Sequence, residues 1–275
     1  MVMGGTKKSM MKKEELWTRV REMLAGEIQT IDYYFERYPG LKAEREVLHK
    51  AIIQTILERK DYSKDKRIYM LGGAPANGKS AFIRSGIVKY PNDILKIDPD
   101  EIKMMLPEYR YMLDMQEPRA AGVVHEESSE LAKKIRERAI AEGTNLLLDG
   151  VNNESIEKRI EDVKALKCNG HWVRIDYVTL DTDLSLWLAK IRYQRTGRLV
   201  PEDIIKRRAR SLVKLIPELI ELQLFDELYL WDTNIAAEPR LILRQKSGKL
   251  VIVDKMLYEN FKRKADEEQK EQHDL

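Results

Sequence analysis

The chain has 275 residues, with 49 Lys and Arg nearly balanced by 46 Asp and Glu, giving a formal charge of +3. It is long enough for a sizeable core and carries no global charge that would draw it to nucleic acid or a membrane surface, so nucleic acid is not an expected partner. Its one cysteine, Cys168, excludes an internal disulfide and a thiolate metal cluster; it is expected to be a half-buried bystander. No apolar run reaches the roughly 20 residues of a membrane span, and residues 1–11 lack the apolar core of a secretory signal, so the expectation is a soluble, cytoplasmic protein with no membrane contact.

Residues 1–9 read as a loose tail. From about Glu14 the apolar positions Leu16, Val20, Leu24, Ile28, Ile31 and Phe35 recur at helical spacing until Pro39-Gly40 ends the pattern. A second helix places Val47, Leu48, Ala51, Ile52, Thr55 and Ile56 along one face, and 61–66 is a polar link. This N-terminal helical hairpin (1–65) is expected to pack on the core. Residues 68–80, IYMLGGAPANGKS, then run from a short apolar strand into Gly73-Ala74-Pro75-Ala76-Asn77-Gly78-Lys79-Ser80, which satisfies G-x-x-x-x-G-K-[ST]. Glycines at these positions let backbone N–H groups turn inward around a polyphosphate, and a helix starting near Lys79 adds its positive dipole end. Lys79 is expected at the outer phosphates of ATP and Ser80 on a magnesium ion.

Beyond Ser80 the chain alternates as an α/β sheet does. A strand at 94–97 delivers Asp98-Pro99-Asp100, and 119–142 reads as one long helix closed by Gly143. The strand Leu146-Leu147-Leu148 ends in Asp149, and Asn152 or Asn153 suits the cap of a helix to about Lys167. A strand at 172–178 precedes a helix at 181–196 that Gly197 ends. Pro201 opens the next helix, to about Leu215, and Pro217 opens another. Residues 227–231 make a fifth core strand, 241–244 and 249–253 flank Ser247-Gly248 as a β-hairpin, and 262–275 is a charged end. No internal repeat interrupts this order. The expected organisation is the hairpin, a core at 66–234 with an arginine-rich lid at 183–215, and a C-terminal segment at 235–275.

In open parallel sheets the ligand lies beyond the carboxyl ends of the strands, where three acids fall: Asp98, Asp100 and Asp149. Beside a phosphate loop, Asp98 suits acceptance of a proton from an acceptor hydroxyl; it equally suits a helix N-cap. Asp149 suits either the metal or the acceptor, or a turn before Gly150. Arg192, Arg195 and Arg198 recur at steps of three, with Arg207, Arg208 and Arg210 further on. Such cations neutralise charge on a transferred phosphoryl group, and Arg192 and Arg198 are the candidates for a lid. His125 lacks the partners of a metal site, and Trp172, Trp187 and Trp231 read as core, with Trp231 near the base-stacking edge.

Taken together, GGAPANGKS, KIDPDEIK, the HEESSE helix, LLLDGVNN and RYQRTGRLVP resemble the zeta toxin family of P-loop kinases over about residues 68–231. The resemblance implies a five-stranded parallel sheet in order 2-3-1-4-5. It also implies a kinase that transfers the ATP γ-phosphate to a hydroxyl of a UDP-activated amino sugar such as UDP-N-acetylglucosamine. On it, Lys79 and Ser80 hold phosphate and magnesium, Asp98 is the base, Asp149 matches the acid at the third strand tip, and Arg192 and Arg198 match the lid arginines. The acidic acceptor contact falls on Glu126, Glu127 or Glu130, with Asp100 and Asn153 as further acceptor contacts. The family's Thr and Arg after the strand-tip acid are here Val151 and Asn153. A protein antitoxin belongs to the family's toxic members and not to these motifs. Two other readings stay open: a different P-loop small-molecule or polynucleotide kinase, and a non-enzymatic module that ATP switches against a partner.

Overall fold

A computed structural model describes residues 13–149, 156–196 and 200–265. In chain order the helices and strands are α1 (Lys13–Gly26), α2 (Thr30–Asp32), α3 (Lys42–Leu57), β1 (Arg67–Gly72), α4 (Lys79–Ser85), β2 (Leu95–Lys96), α5 (Pro99–Lys103), α6 (Pro107–Asp114) and α7 (Ala120–Val123). They continue with α8 (His125–Ala141), β3 (Leu146–Asp149), α9 (Ile156–Cys168), β4 (Trp172–Thr179), α10 (Thr182–Thr196), α11 (Glu202–Leu222), β5 (Glu227–Asp232), β6 (Arg240–Lys246), β7 (Lys249–Ile252) and α12 (Lys255–Arg263). Two compact units share them: Met1–Asp61 with Ile97–Ala141, and Tyr62–Lys96 with Glu142–Leu275.

The first unit is helical, and its interior is polar at one point. On α3 the inward positions are Arg45, His49, Ile52 and Ile56, while Val47 is 67% exposed. The packed face is therefore rotated from the one that the aliphatic spacing suggests, because a guanidinium and an imidazole hold inward positions that periodicity alone gives to apolar residues. The Arg45 guanidinium forks onto two buried carboxylates. Its Nε and Nη2 donate to Glu127 of α8 at 2.6 and 2.7 Å, and its Nη1 and Nη2 donate to Glu108 of α6 at 2.9 and 3.0 Å. The Tyr34 hydroxyl donates to Glu108 at 2.5 Å, and His49 Nε2 lies 2.5 Å from Glu127. Every charge here is paired through hydrogen bonds, the condition under which ionised groups tolerate burial.

The second unit is one seven-stranded sheet in the order β2-β3-β1-β4-β5-β6-β7. The five strands expected to be parallel are parallel and run in order 2-3-1-4-5. The C-terminal hairpin joins the sheet beside β5 in antiparallel fashion and so lengthens it. Its turn residues Ser247 and Gly248 have φ of 51° and 74°, as a two-residue hairpin turn needs. Side chains alternate across the strands. Ile68, Val173, Ile175, Tyr177, Leu228 and Leu230 are buried on one face, and Leu71, Phe82, Val178 and Trp231 form a cluster on the other. On that second face Asp176 is fully buried, accepting from Arg174 Nε and Nη2 at 2.8 Å each and from Trp231 Nε1 at 2.9 Å.

Several expectations change. The helix expected over 14–35 is broken: α1 stops at Gly26, Glu27 takes a positive φ of 51°, and α2 runs on into a π turn at Tyr33–Arg37. The helix expected over 119–142 is likewise interrupted at Val124, between α7 and α8. Pro217 does not open a new helix but lies inside α11, whose buried stripe of Ile205, Ala209, Leu212, Ile216 and Leu219 crosses it; burial of that stripe outweighs one lost hydrogen bond. Trp187 is 57% exposed instead of core, and Cys168 is exposed instead of half-buried. No helix among the described residues is long and apolar enough to cross a membrane.

Two measurements test the Arg45 cluster. Arg45→Met leaves two carboxylates buried without their cation, and urea unfolding should show a loss of about 3–5 kcal/mol. Burial alone would push the Glu127 carboxyl up, but hydrogen bonds from Arg45 and His49 outweigh it and hold the group down at about 2. A lowered folded value means stability that is complete above the unfolded value near 4.5 and is lost as pH falls toward 2. Glu127→Gln should therefore remove a component of about 3 kcal/mol from the acid limb of the stability–pH curve.

Candidate active site

β1 is paired on both sides, with β3 on one and β4 on the other, so the chain leaving it emerges between two strand tips. At such a switch point the connections diverge and leave a crevice. The loop that emerges passes close against β4. A Cβ on Gly73 would stand 2.6 Å from the carbonyl oxygen of Val178, and Gly73 has φ of +142°. No other residue type fits there. Further on, Ala76 (φ 61°) and Gly78 (φ 76°) are both left-handed, flanking Asn77. Ala76 holds a conformation that costs an alanine about 1 kcal/mol, the kind of local strain that collects at ligand sites.

α4 begins at Lys79, directly after Gly78, so its unpaired N–H groups open toward the loop. The Lys79 ammonium donates to the carbonyls of Gly73 and Ala74 at 2.9 and 3.1 Å. A cation is thus held at the start of the loop by two of its carbonyls. Ser80, one residue into the helix, is exposed, as is Asp149 at the tip of β3, opposite Leu71 of β1 in the register. Ser80 and Asp149 are oxygen donors of the type magnesium takes, and magnesium needs few protein ligands when phosphates and water supply the rest. Arg192 projects from α10 and is exposed.

The remaining expected residues lie in the first unit. Asp98 is the N-cap of α5: its carboxylate accepts from the Asp100 N–H at 3.0 Å, and Pro99 occupies the first helical position. Asp98 is exposed and its second oxygen is available for other work. Asp100 is exposed and paired with Lys103 at 2.9 Å. Glu127 is enclosed with Arg45 and His49, whereas Glu130 is exposed and paired with Lys134 at 2.9 Å, a hydrogen bond that lowers its pKa. Glu126 is also exposed. Arg198 and Asn153, with Asn152 as the other suggested cap, fall outside the described residues.

Sequence reasoning named Asn77 as a loop residue but passed over Ser185 and Thr233, which hold it. All three are buried, and Ser185 and Thr233 each hydrogen-bond to Asn77. They lie 108 and 156 positions apart in pairs with Asn77, and no motif links them.

The model of the zeta toxin family matches residues 53–247. Among solved structures, one from the PezAT chromosomal toxin–antitoxin system of Streptococcus pneumoniae is similar with a TM-score of 0.56 at 18% identity, covering 82% of this chain and 95% of that one. The AvrRxo1-ORF1:-ORF2 structure with ATP is similar with a TM-score of 0.59 at 17% identity, covering 80% and 73%. At such identities the likeness is one of fold. No curated protein matches by sequence.

The Gly73 contact yields a direct test. Gly73→Ala should abolish measurable ATP binding in calorimetry and lower the melting temperature, because the added methyl meets backbone and not a flexible side chain. Gly40→Ala, where a Cβ meets nothing within 4 Å, should do neither.

Proposed function

The chain belongs to the zeta toxin family and, with it, is an ATP-dependent phosphotransferase; we propose that its acceptor is a hydroxyl of a UDP-activated amino sugar such as UDP-N-acetylglucosamine. The observation that carries the phosphotransferase part of the reading is the phosphate loop, a strained left-handed turn pressed against β4 with Lys79 folded over it; the acceptor rests on the family. That arrangement is built for a polyphosphate and has no use as a simple strand-to-helix turn, which would need neither the strain nor the close approach.

In this reading the loop amides and Lys79 hold the β- and γ-phosphates of ATP. Ser80 and Asp149 would hold a magnesium ion, which when bound neutralises charge on the phosphate oxygens. Asp98 takes the proton of the acceptor hydroxyl as the acceptor oxygen bonds to the γ-phosphorus. The bond from that phosphorus to the bridging oxygen breaks, and ADP leaves with the electron pair. Lys79 and Arg192, joined by Arg198, offset the charge spread over the transferred oxygens. Asp98's capping bond uses one oxygen and orients the carboxylate, so cap and base are compatible duties. Asp100, Glu130 and Asn153 are the proposed contacts to the sugar nucleotide; Glu127, fully buried with both carboxylate oxygens taken by Arg45 and His49, is not proposed as a contact but holds α8 through Arg45.

A protein antitoxin is the proposed macromolecular partner, on the strength of the family and of the toxin–antitoxin system among the similar structures. The proposed location is the cytoplasm, where ATP and nucleotide sugars meet.

Mass spectrometry of UDP-N-acetylglucosamine incubated with ATP, magnesium and the protein should show the sugar nucleotide gaining one phosphate. Label on RNA or DNA ends with none on the sugar would overturn the acceptor assignment. Asp98→Asn should retain ATP binding and lose transfer by about 10²- to 10⁴-fold. Lys79→Ala should weaken both by about 10- to 100-fold, the worth of one or two charge-assisted hydrogen bonds. Normal transfer in either variant contradicts the role given to that residue.

A further inference from the structure

Three elements of the second unit converge on one loop residue whose side chain the proposed chemistry does not use. Asn77 is 1% exposed. Its Oδ1 accepts from Ser185 Oγ, in the first turn of α10, at 2.8 Å, and its Nδ2 donates to the Val178 carbonyl of β4 at 3.4 Å. Its main-chain carbonyl lies 3.0 Å from Thr233 Oγ1, just after β5; that hydroxyl stands 3.0 Å from the Thr179 carbonyl as well, so its single hydrogen is shared between the two. Thr233 is itself fixed, since its N–H donates to the Thr179 carbonyl at 2.9 Å.

Peptide geometry turns these contacts into a direction. In a planar trans peptide the C=O and the following N–H point to opposite sides. Because Thr233 holds the Asn77 carbonyl, the N–H of Gly78 is aimed away from Thr233. The turn's own backbone bonds, from the Asn77 N–H to the Ala74 carbonyl at 3.3 Å and from the Phe82 N–H to the Gly78 carbonyl at 2.8 Å, leave the Asn77–Gly78 peptide between them, and the carbonyl's anchor adds the contact that orients that peptide. Along α10, Arg192 lies seven residues after Ser185. Seven residues are two turns, so the two positions share a helix face, about 10 Å apart along the axis.

We infer that Asn77 and its two partners are positioning residues. Thr233, through the Asn77 carbonyl, aims the Gly78 amide at the bound phosphate. Ser185, through the Asn77 side chain, sets α10 and therefore Arg192 in the same frame as that amide. The donors of the loop and the cation of the lid are then aligned by one residue. The identity of the aligned ligand rests on the kinase reading; the link itself does not.

The experiment has two arms. In the first, hydrogen exchange of the Asn77 and Phe82 amides, which donate to the Ala74 and Gly78 carbonyls of the turn at 3.3 and 2.8 Å, is compared between wild type, Thr233→Val and Thr233→Ser, without nucleotide. Exchange should quicken in the valine variant by about 5- to 10-fold, the worth of one hydrogen bond, and return to the wild-type rate with serine. Unchanged exchange in the valine variant overturns the amide assignment. In the second arm, Ser185→Ala should lower kcat for phosphate transfer from ATP about 5- to 10-fold with little change in KM for ATP. In an Arg192→Ala background the same substitution should have no further effect. An equal loss in both backgrounds overturns the link to Arg192 and leaves Ser185 a merely structural contact. Failure of the kinase reading would look different: wild-type protein that neither binds ATP nor forms ADP, with the exchange arm still deciding whether Asn77 is held as described.

Discussion

The approach of Gly73 to the Val178 carbonyl is the constraint from which the second unit is built outward. A loop that passes this close to a neighbouring strand needs β1 and β4 side by side in fixed register, and they pair from Arg67 with Trp172 through Gly72 with Tyr177. That register is buried on both faces, where a slip of one residue would exchange the two sets of side chains. One face is aliphatic around Ile68, Val173 and Leu228; the other sets Leu71, Val178 and Trp231 against Phe82 of α4. Packing of Phe82 holds α4 down on the sheet, and α4 carries Lys79 and Ser80. Core and phosphate loop are therefore one construction: the contacts that exclude water from the sheet also place the cation and the amides.

Polar groups are used in the interior where direction matters. Asp176 is buried among Arg174, Tyr90 and Trp231, and its bond to the indole N–H orients the ring that closes the cluster under α4. In the first unit Arg45 joins α3 to both α6 and α8 through two forked pairs. Buried ion pairs add little net stability over a well-packed apolar core, but they accept few geometries, since any other arrangement leaves a charge unpaired. An apolar interior would tolerate sliding of these helices; a guanidinium shared between Glu108 and Glu127 does not.

The legible parts of the chain were those in which local chemistry and the fold agree. The run into Gly73-Ala74-Pro75-Ala76-Asn77-Gly78-Lys79-Ser80 marked a strand, a turn and a helix start, and α4 begins at Lys79. Strand order followed from family resemblance, and Ser247-Gly248 marked the hairpin because only left-handed residues close a two-residue turn. Errors arose where a distant contact reversed a local preference. Pro217 signals a helix start, yet a buried stripe carries α11 through it. Val47 looks inward by spacing, yet Arg45 and His49 take the interior because Glu127 awaits them there. Trp187 looks like core by type but lies on an exposed face of α10.

The amino-acid sequence by itself determined the class of fold, the presence of a phosphate loop and the acids that follow the strands, because these depend on spacing within a few residues: glycine where φ must be positive, apolar runs where both faces are covered, a carboxylate at a strand's end. Tertiary structure alone decided which residues steady the loop and which charges share the interior. Asn77, Ser185 and Thr233 meet only because β4 and β5 pair and α10 starts beside them. A hydrogen bond between side chains more than a hundred residues apart leaves no periodic trace along the chain; it exists once the sheet has brought its ends together.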